Sequence, residues 1–171
     1  MTREELAHAI YERAHLTGTF TLRSGAVSSE YFDKYRFEAD PPLLLEIARA
    51  LAALVPDGTD ALAGLELGGV PLATMLSQVT GLPALFVRKE AKTYGTCQLA
   101  EGGAVDGRRL TIVEDVVTSG GQVVASCGDL RERGGIVETA LCVIDRESGG
   151  AEALSAIGVA LRPLYRMSEL S

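Results

Sequence analysis

The segment from Leu110 to Gly121 constrains the fold of this chain more than any other segment. It begins with short apolar residues, continues with the adjacent acids Glu114 and Asp115, and ends in a turn of small residues that includes Gly120. The apolar run is typical of a buried parallel strand, and the glycines allow the chain to turn sharply into a helix. The segment therefore predicts a strand, a turn and a helix N-terminus in direct succession.

The predicted turn is suited to binding a phosphate group. A helix N-terminus presents free backbone N–H groups and the positive end of the helix dipole, and both attract an anion. The hydroxyls of Thr118 and Ser119 can add hydrogen-bond donors. Because side chains alternate along a strand, at least one of Glu114 and Asp115 can face the crevice and accept hydrogen bonds from sugar hydroxyls. A strand with an acid and a glycine turn is also common as a purely structural feature of doubly wound folds.

Strand and helix patterns alternate from residue 40 onward. The expected strands are 60–66, 84–88, the strand beginning at 110, 136–144 and 159–163. The first expected helix has Asp40 as its N-cap, Pro41 and Pro42 in its first turn and an apolar stripe over 43–54, and the later helices are expected at 71–80, 122–133 and 151–157. We therefore predict an α/β fold with a doubly wound, mostly parallel five-stranded sheet and helices on both faces. Ligands are expected beyond the carboxyl ends of the strands.

Residues 1–40 predict a smaller unit in front of the sheet. A helical pattern over 4–15, expected to end at Gly18, is followed by short strands at 20–23 and 31–37 around a Ser24-Gly25 turn. We call this segment the hood. The length of 171 residues fits one domain. We therefore expect residues 1–171 to form a single domain, with the hood as a small N-terminal subdomain that carries a substrate-binding segment.

The charge balance limits the possible partners. With 16 Lys and Arg against 23 Asp and Glu, the net charge is −7, so we expect no binding to nucleic acid or to an anionic membrane. No apolar run approaches the roughly 18 residues that cross a bilayer. Cys97, Cys127 and Cys142 have neither disulfide-framework nor metal-site spacing, which predicts reduced thiols in a cytoplasmic protein. An anionic ligand must therefore meet a local cluster of positive charge.

Such a cluster follows the predicted strand at 84–88. Arg88, Lys89 and Lys92 lie close together in the sequence and could neutralise a diphosphate group. The polar, glycine-bearing segment that continues to Arg109 is longer than a usual connection, which predicts a mobile lid. A basic strand end is often only a solvated edge, but beside a phosphate-binding turn it favours a binding site.

Several segments resemble those of a known enzyme family. The run from Leu110 to Gly121 is similar to the phosphoribosyl-diphosphate (PRPP) signature of the type I phosphoribosyltransferases, and the run from Arg88 to Thr96 resembles the catalytic loop of the orotate phosphoribosyltransferases. Segments 20–33, 64–73 and 143–150 also resemble that family, in its order. The resemblance implies conversion of orotate and PRPP to orotidine 5-monophosphate and diphosphate in de novo pyrimidine (UMP) biosynthesis.

The resemblance also implies roles for individual residues. The expected catalytic residues are Lys89, Lys92, Glu114 and Asp115. The expected PRPP-binding residues are Gly68, Gly69, Arg88, Lys89, Lys92, Tyr94, Glu114, Asp115, Val116, Val117, Thr118, Ser119, Gly120 and Gly121. The expected orotate-binding residues are Arg23, Tyr31, Phe32, Thr118 and Arg146. Mg²⁺ is the expected cofactor, bound through PRPP, and the resemblance implies a homodimer whose catalytic loop is shared across the interface.

Three positions depart from the usual pattern of this family. Arg23 stands where many members carry Lys, Gly68 where some carry a diphosphate-binding Lys, and Tyr94 where many carry His. Backbone N–H groups at Gly68, Gly69 and Val70 would then have to replace a lysine side chain. Two alternatives stay open at this point. One is a phosphoribosyltransferase for another nucleobase, such as a purine, and the other is a non-catalytic regulator that senses PRPP.

Overall fold

The N-terminal part of the chain forms a helix, a two-stranded hairpin and a second, short helix. A computed structural model describes residues 1–170. The first elements are α1 (Arg3–Ala14), β1 (His15–Thr21), β2 (Val27–Phe32) and α2 (Tyr35–Glu38). α1 begins with a capping box, in which the Thr2 hydroxyl accepts from the Glu5 N–H at 3.1 Å and the Glu5 carboxylate accepts from the Thr2 N–H at 2.7 Å. β1 and β2 pair antiparallel around the predicted turn.

The hood contains the expected hairpin, but its bounds differ from the sequence-based expectation. β1 begins at His15 and not at residue 20, and β2 begins at Val27 and not at residue 31. The first helix already ends at Ala14, so Gly18 lies within β1 and does not end the helix. β2 ends at Phe32, and the stretch expected to extend that strand to residue 37 contains α2 instead. Phe37 is fully buried there, whereas Tyr35 is exposed. A single buried aromatic residue fits a strand and a helical turn equally well in sequence, so tertiary packing decided the outcome.

The remaining elements alternate as predicted, with small shifts of their bounds. They are α3 (Pro41–Ala52), β3 (Ala61–Leu65), α4 (Gly69–Thr80), β4 (Ala84–Val87), β5 (Ala100–Glu101), β6 (Arg109–Val117), α5 (Gly121–Glu132), β7 (Ile136–Asp145), α6 (Gly150–Ser155) and β8 (Ala160–Arg166), followed by a 3₁₀ turn at Met167–Glu169. α3 begins at Pro41 because the Asp40 carboxylate accepts from the Leu43 N–H at 3.2 Å.

The central sheet contains six strands in the order β5-β4-β3-β6-β7-β8. Five of them, β4, β3, β6, β7 and β8, are parallel neighbours and correspond to the five predicted strands. β5 pairs antiparallel with β4 at the edge. The prediction of a mostly parallel, doubly wound sheet is confirmed. The expected number of strands was one too low, because a strand of two residues is too short to show a periodic pattern.

Helices cover both faces of this sheet. α1, α3 and α4 pack on one face with Val113, whereas α5 and α6 pack on the other with Ile112. Because side chains alternate along a strand, Asp115 shares the face of α4 and Glu114 shares the face of α5. The carboxyl ends of the parallel strands lie at one edge of the sheet, where the candidate site is located. Within residues 1–170, no helix has both the length and the apolar character needed to cross a membrane.

Candidate active site

The turn after β6 places the N-terminus of α5 at the carboxyl edge of the sheet. Gly120 is the N-cap residue and has a φ of +82°, a left-handed conformation that glycine adopts without strain. No side chain of residues 1–170 caps this helix. Thr118 and Ser119 are exposed next to it. The first N–H groups of α5 and two hydroxyls are thus available to an anion.

The loop that follows β7 holds this turn in place. The Arg146 N–H donates to the Val117 carbonyl at 2.9 Å. Gly150 packs so closely on the turn that a Cβ at this position would overlap Val117 and lie 2.8 Å from the Thr118 carbonyl oxygen. A Cβ on Gly120 would lie 3.1 Å from the Gly150 Cα. The loops after β6 and β7 therefore form one packed wall of the site.

The two adjacent acids at the end of β6 are both buried, and Asp115 is 0% exposed. The Asp115 Oδ1 accepts from the Val116 N–H at 2.6 Å, and the Glu114 Oε1 accepts from the Asp115 N–H at 3.0 Å. The Nζ of Lys34 lies 2.8 Å from the Asp115 Oδ2. The acids thus lie where the sequence places them, but the hood covers the carboxylate of Asp115.

Burial of these groups shifts their proton affinities. Glu38 is buried beside Asp115, and desolvation, followed by the charge of Asp115 and a hydrogen bond with it, raises the pKa of Glu38 to about 9. Desolvation and the charge of Asp115 also raise the pKa of Glu114 to about 8. Burial alone would lower the pKa of Lys34, but the hydrogen bond and charge of Asp115 outweigh it, so this pKa is raised. Near neutral pH the cluster holds one ion pair, Lys34 with Asp115, beside two carboxyl groups that favour the neutral form.

The loop between β3 and α4 approaches the same acid. Gly68 and Gly69 are buried, and the peptide bond between Glu66 and Leu67 is cis. A Cβ on Gly68 would overlap the carboxylate of Asp115, although its φ of −64° is one that any residue can adopt. The close approach of the loop to the acid, and not the backbone conformation, is therefore what requires glycine at this position.

Two of the three basic residues after β4 are paired at the edge of the sheet. The Lys92 Nζ lies 2.9 Å and the Arg88 Nε 3.5 Å from the Glu101 Oε1 on β5. The hydrogen bond from Lys92 lowers the pKa of Glu101 and outweighs the opposing effect of burial. Lys89 is exposed, and its N–H donates to the Glu66 carboxylate. β3 lies between this cluster and β6, so the cluster flanks the turn after β6 from the neighbouring strands.

The segment predicted as a lid is exposed in one part and packed in another. Residues 93–98 are exposed, and Tyr94 is 69% exposed with its ring centroid 5.7 Å from the Lys92 Nζ. Leu99 and Ala100 are buried, because this end of the segment pairs with β4 as β5. The expectation that the whole segment up to Arg109 lies free of the sheet was therefore wrong for residues 99–101, whereas most of residues 102–109 are exposed.

A cavity of about 610 Å³ lies between the hood and the loop after β7. Its lining includes Tyr31, Phe32 and Arg146, which are three of the residues predicted to bind orotate. The ring of Tyr31 stacks on Phe20 with 5.6 Å between centroids. Arg23 is exposed at the hairpin turn and does not line this cavity. The structure thus brings together three of the five predicted residues in one cavity, whereas Arg23 and Thr118 do not line it.

Sequence reasoning missed Lys34 and Glu38, which lie against Asp115. They are spaced i and i+4, so a helix places them on one face. A strand was expected over 31–37, and side chains four residues apart along an extended chain are too far apart to contact one acid together. Recognising Asp33 as a helix-start residue could have revealed the pair, since its carboxylate accepts from the Tyr35 N–H at 3.2 Å.

Comparisons with known proteins agree with this geometry. Residues 36–156 match the model of the phosphoribosyl transferase domain. An orotate phosphoribosyltransferase of Nocardioides sp. is 56% identical over 96% of this chain and 92% of its own length, and one of Methanocella arvoryzae is 46% identical over 90% and 87%. The crystal structure of Mycobacterium tuberculosis H37Rv orotate phosphoribosyltransferase superposes with a TM-score of 0.89 at 33% identity, covering 99% of this chain and 98% of that one. The chain belongs to the phosphoribosyl transferase domain family and, within it, to the orotate phosphoribosyltransferases.

Proposed function

We propose that this protein transfers the phosphoribosyl group of PRPP to orotate, forming orotidine 5-monophosphate and diphosphate in pyrimidine biosynthesis. The observation that carries the proposal is the uncapped N-terminus of α5 with the exposed Thr118 and Ser119, adjoining the buried acids Glu114 and Asp115. The relatives' names agree with it. The M. tuberculosis enzyme has also been crystallised in complex with PRPP, and that structure superposes with a TM-score of 0.84 at 31% identity.

PRPP is proposed to bind along the carboxyl edge of the sheet. Its 5-phosphate would accept hydrogen bonds from residues 118–121 at the start of α5, beside Val116 and Val117 at the end of β6. Its ribose hydroxyls would donate to Glu114 and Asp115. Its diphosphate would be bound by backbone N–H groups at Gly68 and Gly69 and by the side chains of the basic segment. That segment contributes Arg88, Lys89, Lys92 and Tyr94.

Orotate is proposed to occupy the cavity between the hood and the loop after β7. The planar guanidinium of Arg146 can pair with both oxygens of the orotate carboxylate, and the rings of Tyr31 and Phe32 offer apolar surface to the pyrimidine. Thr118 and Arg23 are proposed as additional contacts. For Arg23 this requires the hairpin turn to approach the cavity when substrate binds.

The proposed reaction breaks the bond between C1 and the diphosphate oxygen and forms a bond between C1 and a ring nitrogen of orotate, which releases its N–H proton to the leaving diphosphate or to solvent. The diphosphate leaves with the electron pair of the broken bond. In the transition state the sugar gains positive charge and the leaving group gains negative charge. Asp115 would lie on the side of the sugar, and Lys89 and Lys92 on the side of the diphosphate, so these charged groups would oppose the charges that develop next to them. Glu114 would bind the ribose as a hydrogen-bond acceptor and would add to the negative charge beside the sugar in its ionised form. Closure of the loop after β4 would exclude water as a competing nucleophile.

Mg²⁺ is proposed to enter with PRPP. Among residues 1–170 no group of three His, Cys, Asp or Glu side chains is arranged to hold a metal ion. The carboxylates near the ribose still fit an ion that takes most of its ligands from the diphosphate, since Mg²⁺ is usually bound by one or two carboxylates plus substrate phosphates. When bound, the ion would neutralise charge on the leaving group.

The assembly and location of the protein are part of the proposal. We infer a single domain with residues 1–40 as its hood, in the cytoplasm, and a homodimer in which the loop after β4 serves the partner's site. No binding to nucleic acid or to a membrane is proposed.

If the loop is shared, mixing Lys92→Ala and Arg146→Ala proteins should restore activity, because some mixed dimers would then hold one intact site.

The direct test is to incubate the protein with Mg²⁺, PRPP and orotate and to follow the loss of orotate absorbance. We expect PRPP-dependent turnover with orotate and little with hypoxanthine, because hypoxanthine has no carboxylate to pair with Arg146. Equal turnover of the two bases would instead support an enzyme for another nucleobase. PRPP binding without turnover of either base would support a PRPP-sensing regulator.

A further inference from the structure

The burial and pairing of Asp115 in this structure keep its carboxylate out of reach of a ligand. Oδ1 accepts from the Val116 N–H at 2.6 Å, Oδ2 lies 2.8 Å from the Lys34 Nζ, and the side chain is 0% exposed. Gly68 lies directly against the carboxylate on the α4 side. A ribose hydroxyl can reach Asp115 only if one of these neighbours moves.

Lys34 is the neighbour best suited to move. Its side chain is 34% exposed, whereas Val116 and Gly68 contribute backbone that is fixed by the sheet and by α4. A lysine ammonium is a compact charge on a flexible four-carbon stem, so it can shift by several ångströms without moving α2. The displaced ammonium would remain beside the acids, where PRPP brings two anionic groups.

The charge balance at this point favours such an exchange. Glu38, one helical turn after Lys34, is 6% exposed, and its Oε1 has no hydrogen-bond partner among residues 1–170. Because burial keeps the pKa of Glu38 high, at about 9, the charge of Lys34 is balanced by Asp115 and not by Glu38. Lys34 therefore has one anionic partner, Asp115, which it can exchange for an anionic ligand.

We propose that Lys34 is an additional PRPP-binding residue, which pairs with Asp115 in the ligand-free enzyme and transfers its ammonium to an anionic group of PRPP when the ribose takes its place. The proposal rests on the proposed function, since it needs PRPP in this site. It adds a cation from the hood to a site whose other proposed cations follow β4.

A double-mutant cycle measured by calorimetry separates this role from a structural one. PRPP, with excess Mg²⁺, is titrated into the parent, Lys34→Met, Asp115→Asn and the double variant. If Lys34 contacts PRPP, the double variant should bind about ten- to a hundredfold more weakly than Asp115→Asn alone. If Lys34 serves only to balance Asp115, these two variants should bind equally, and the proposal would be overturned.

The controls keep the result interpretable. Lys34→Met leaves the buried carboxylate of Asp115 unpaired, so this single variant could unfold. The comparison of Asp115→Asn with the double variant does not depend on it. Arg36→Met removes an exposed charge from the same short helix and should leave PRPP affinity within about twofold of the parent. Absence of PRPP binding to the parent protein would refute the proposed function itself, whereas normal binding to the parent with no effect of Lys34 would refute this inference alone.

Discussion

The close approach of Gly68 to Asp115 predicts that Gly68→Ala affects both stability and ligand binding. A Cβ at this position would overlap the Oδ2 and Cγ of Asp115 and lie 2.9 Å from its Oδ1. The Asp115 side chain cannot rotate away without losing its contacts with Lys34 and Val116. Overpacking of this kind costs about 1–3 kcal/mol of unfolding free energy, and for a domain of this size each kcal/mol lowers Tm by about 2–4 °C.

The same change should weaken PRPP binding. The added Cβ would displace the Asp115 carboxylate from the ribose hydroxyls that it is proposed to bind. Loss of hydrogen bonds to a charged group costs about 1.5–3 kcal/mol, so we expect the Kd for PRPP to rise roughly ten- to a hundredfold. Thermal unfolding and titration calorimetry measure the two effects. Gly128→Ala is the matched control, because Gly128 lies within α5 and a Cβ there meets nothing within 4 Å. It should stabilise the protein by about 0.5–1 kcal/mol and leave binding unchanged. A Gly68→Ala protein with the parent's Tm and PRPP affinity would refute the steric argument.

Lys92→Ala should lower turnover by about a hundredfold or more if Lys92 stabilises the leaving diphosphate, and steady-state rates within a few-fold of the parent would contradict that role. Arg146→Ala should raise KM for orotate far more than KM for PRPP, and an equal rise in both would remove Arg146 from the orotate site. Glu38→Gln should raise Tm increasingly between pH 5 and pH 9, because the folded protein keeps the proton of Glu38 up to a pKa of about 9 whereas the unfolded chain loses it near the ordinary value of 4.5. A Tm difference that does not change with pH would contradict a raised pKa for Glu38.

The sign of this pH effect follows from proton linkage. Between the two pKa values of Glu38 the folded state binds more protons than the unfolded state, so stability falls as pH rises. Asp115, Lys34 and Glu114 surround the group and remain in both proteins, so comparison of the parent with Glu38→Gln isolates the contribution of Glu38.

The sequence predicted the parts of the fold that local patterns determine. The five parallel strands are short apolar runs, which the sequence shows directly. The turn around Gly120 and Gly121 was predicted because small residues and glycines directly follow an apolar strand. The turn between β6 and α5 was predictable for the same reason, since the strand, the turn and the helix N-terminus are contiguous. Tyr31, Phe32 and Arg146 were assigned through the family resemblance, and the fold brings them to one cavity.

The parts that depend on distant contacts were not predictable in this way. α2 has four residues and β5 has two, so neither is long enough to show a period. The pairing of Lys34 with Asp115 joins the hood to β6, and no local pattern indicates which lysine reaches that acid. The burial that raises the pKa of Glu38 depends on the same packing of α2 against the end of β6.

The central claim is that the turn from Thr118 to Gly121 binds the 5-phosphate of PRPP while Glu114 and Asp115 bind its ribose. A crystal structure of the protein with Mg²⁺ and PRPP tests this claim most directly. We expect the 5-phosphate within hydrogen-bond distance of the backbone N–H groups at the start of α5, and at least one ribose hydroxyl on a carboxylate of the acid pair. A 5-phosphate bound elsewhere, with the turn empty or blocked by its own side chains, would contradict the claim.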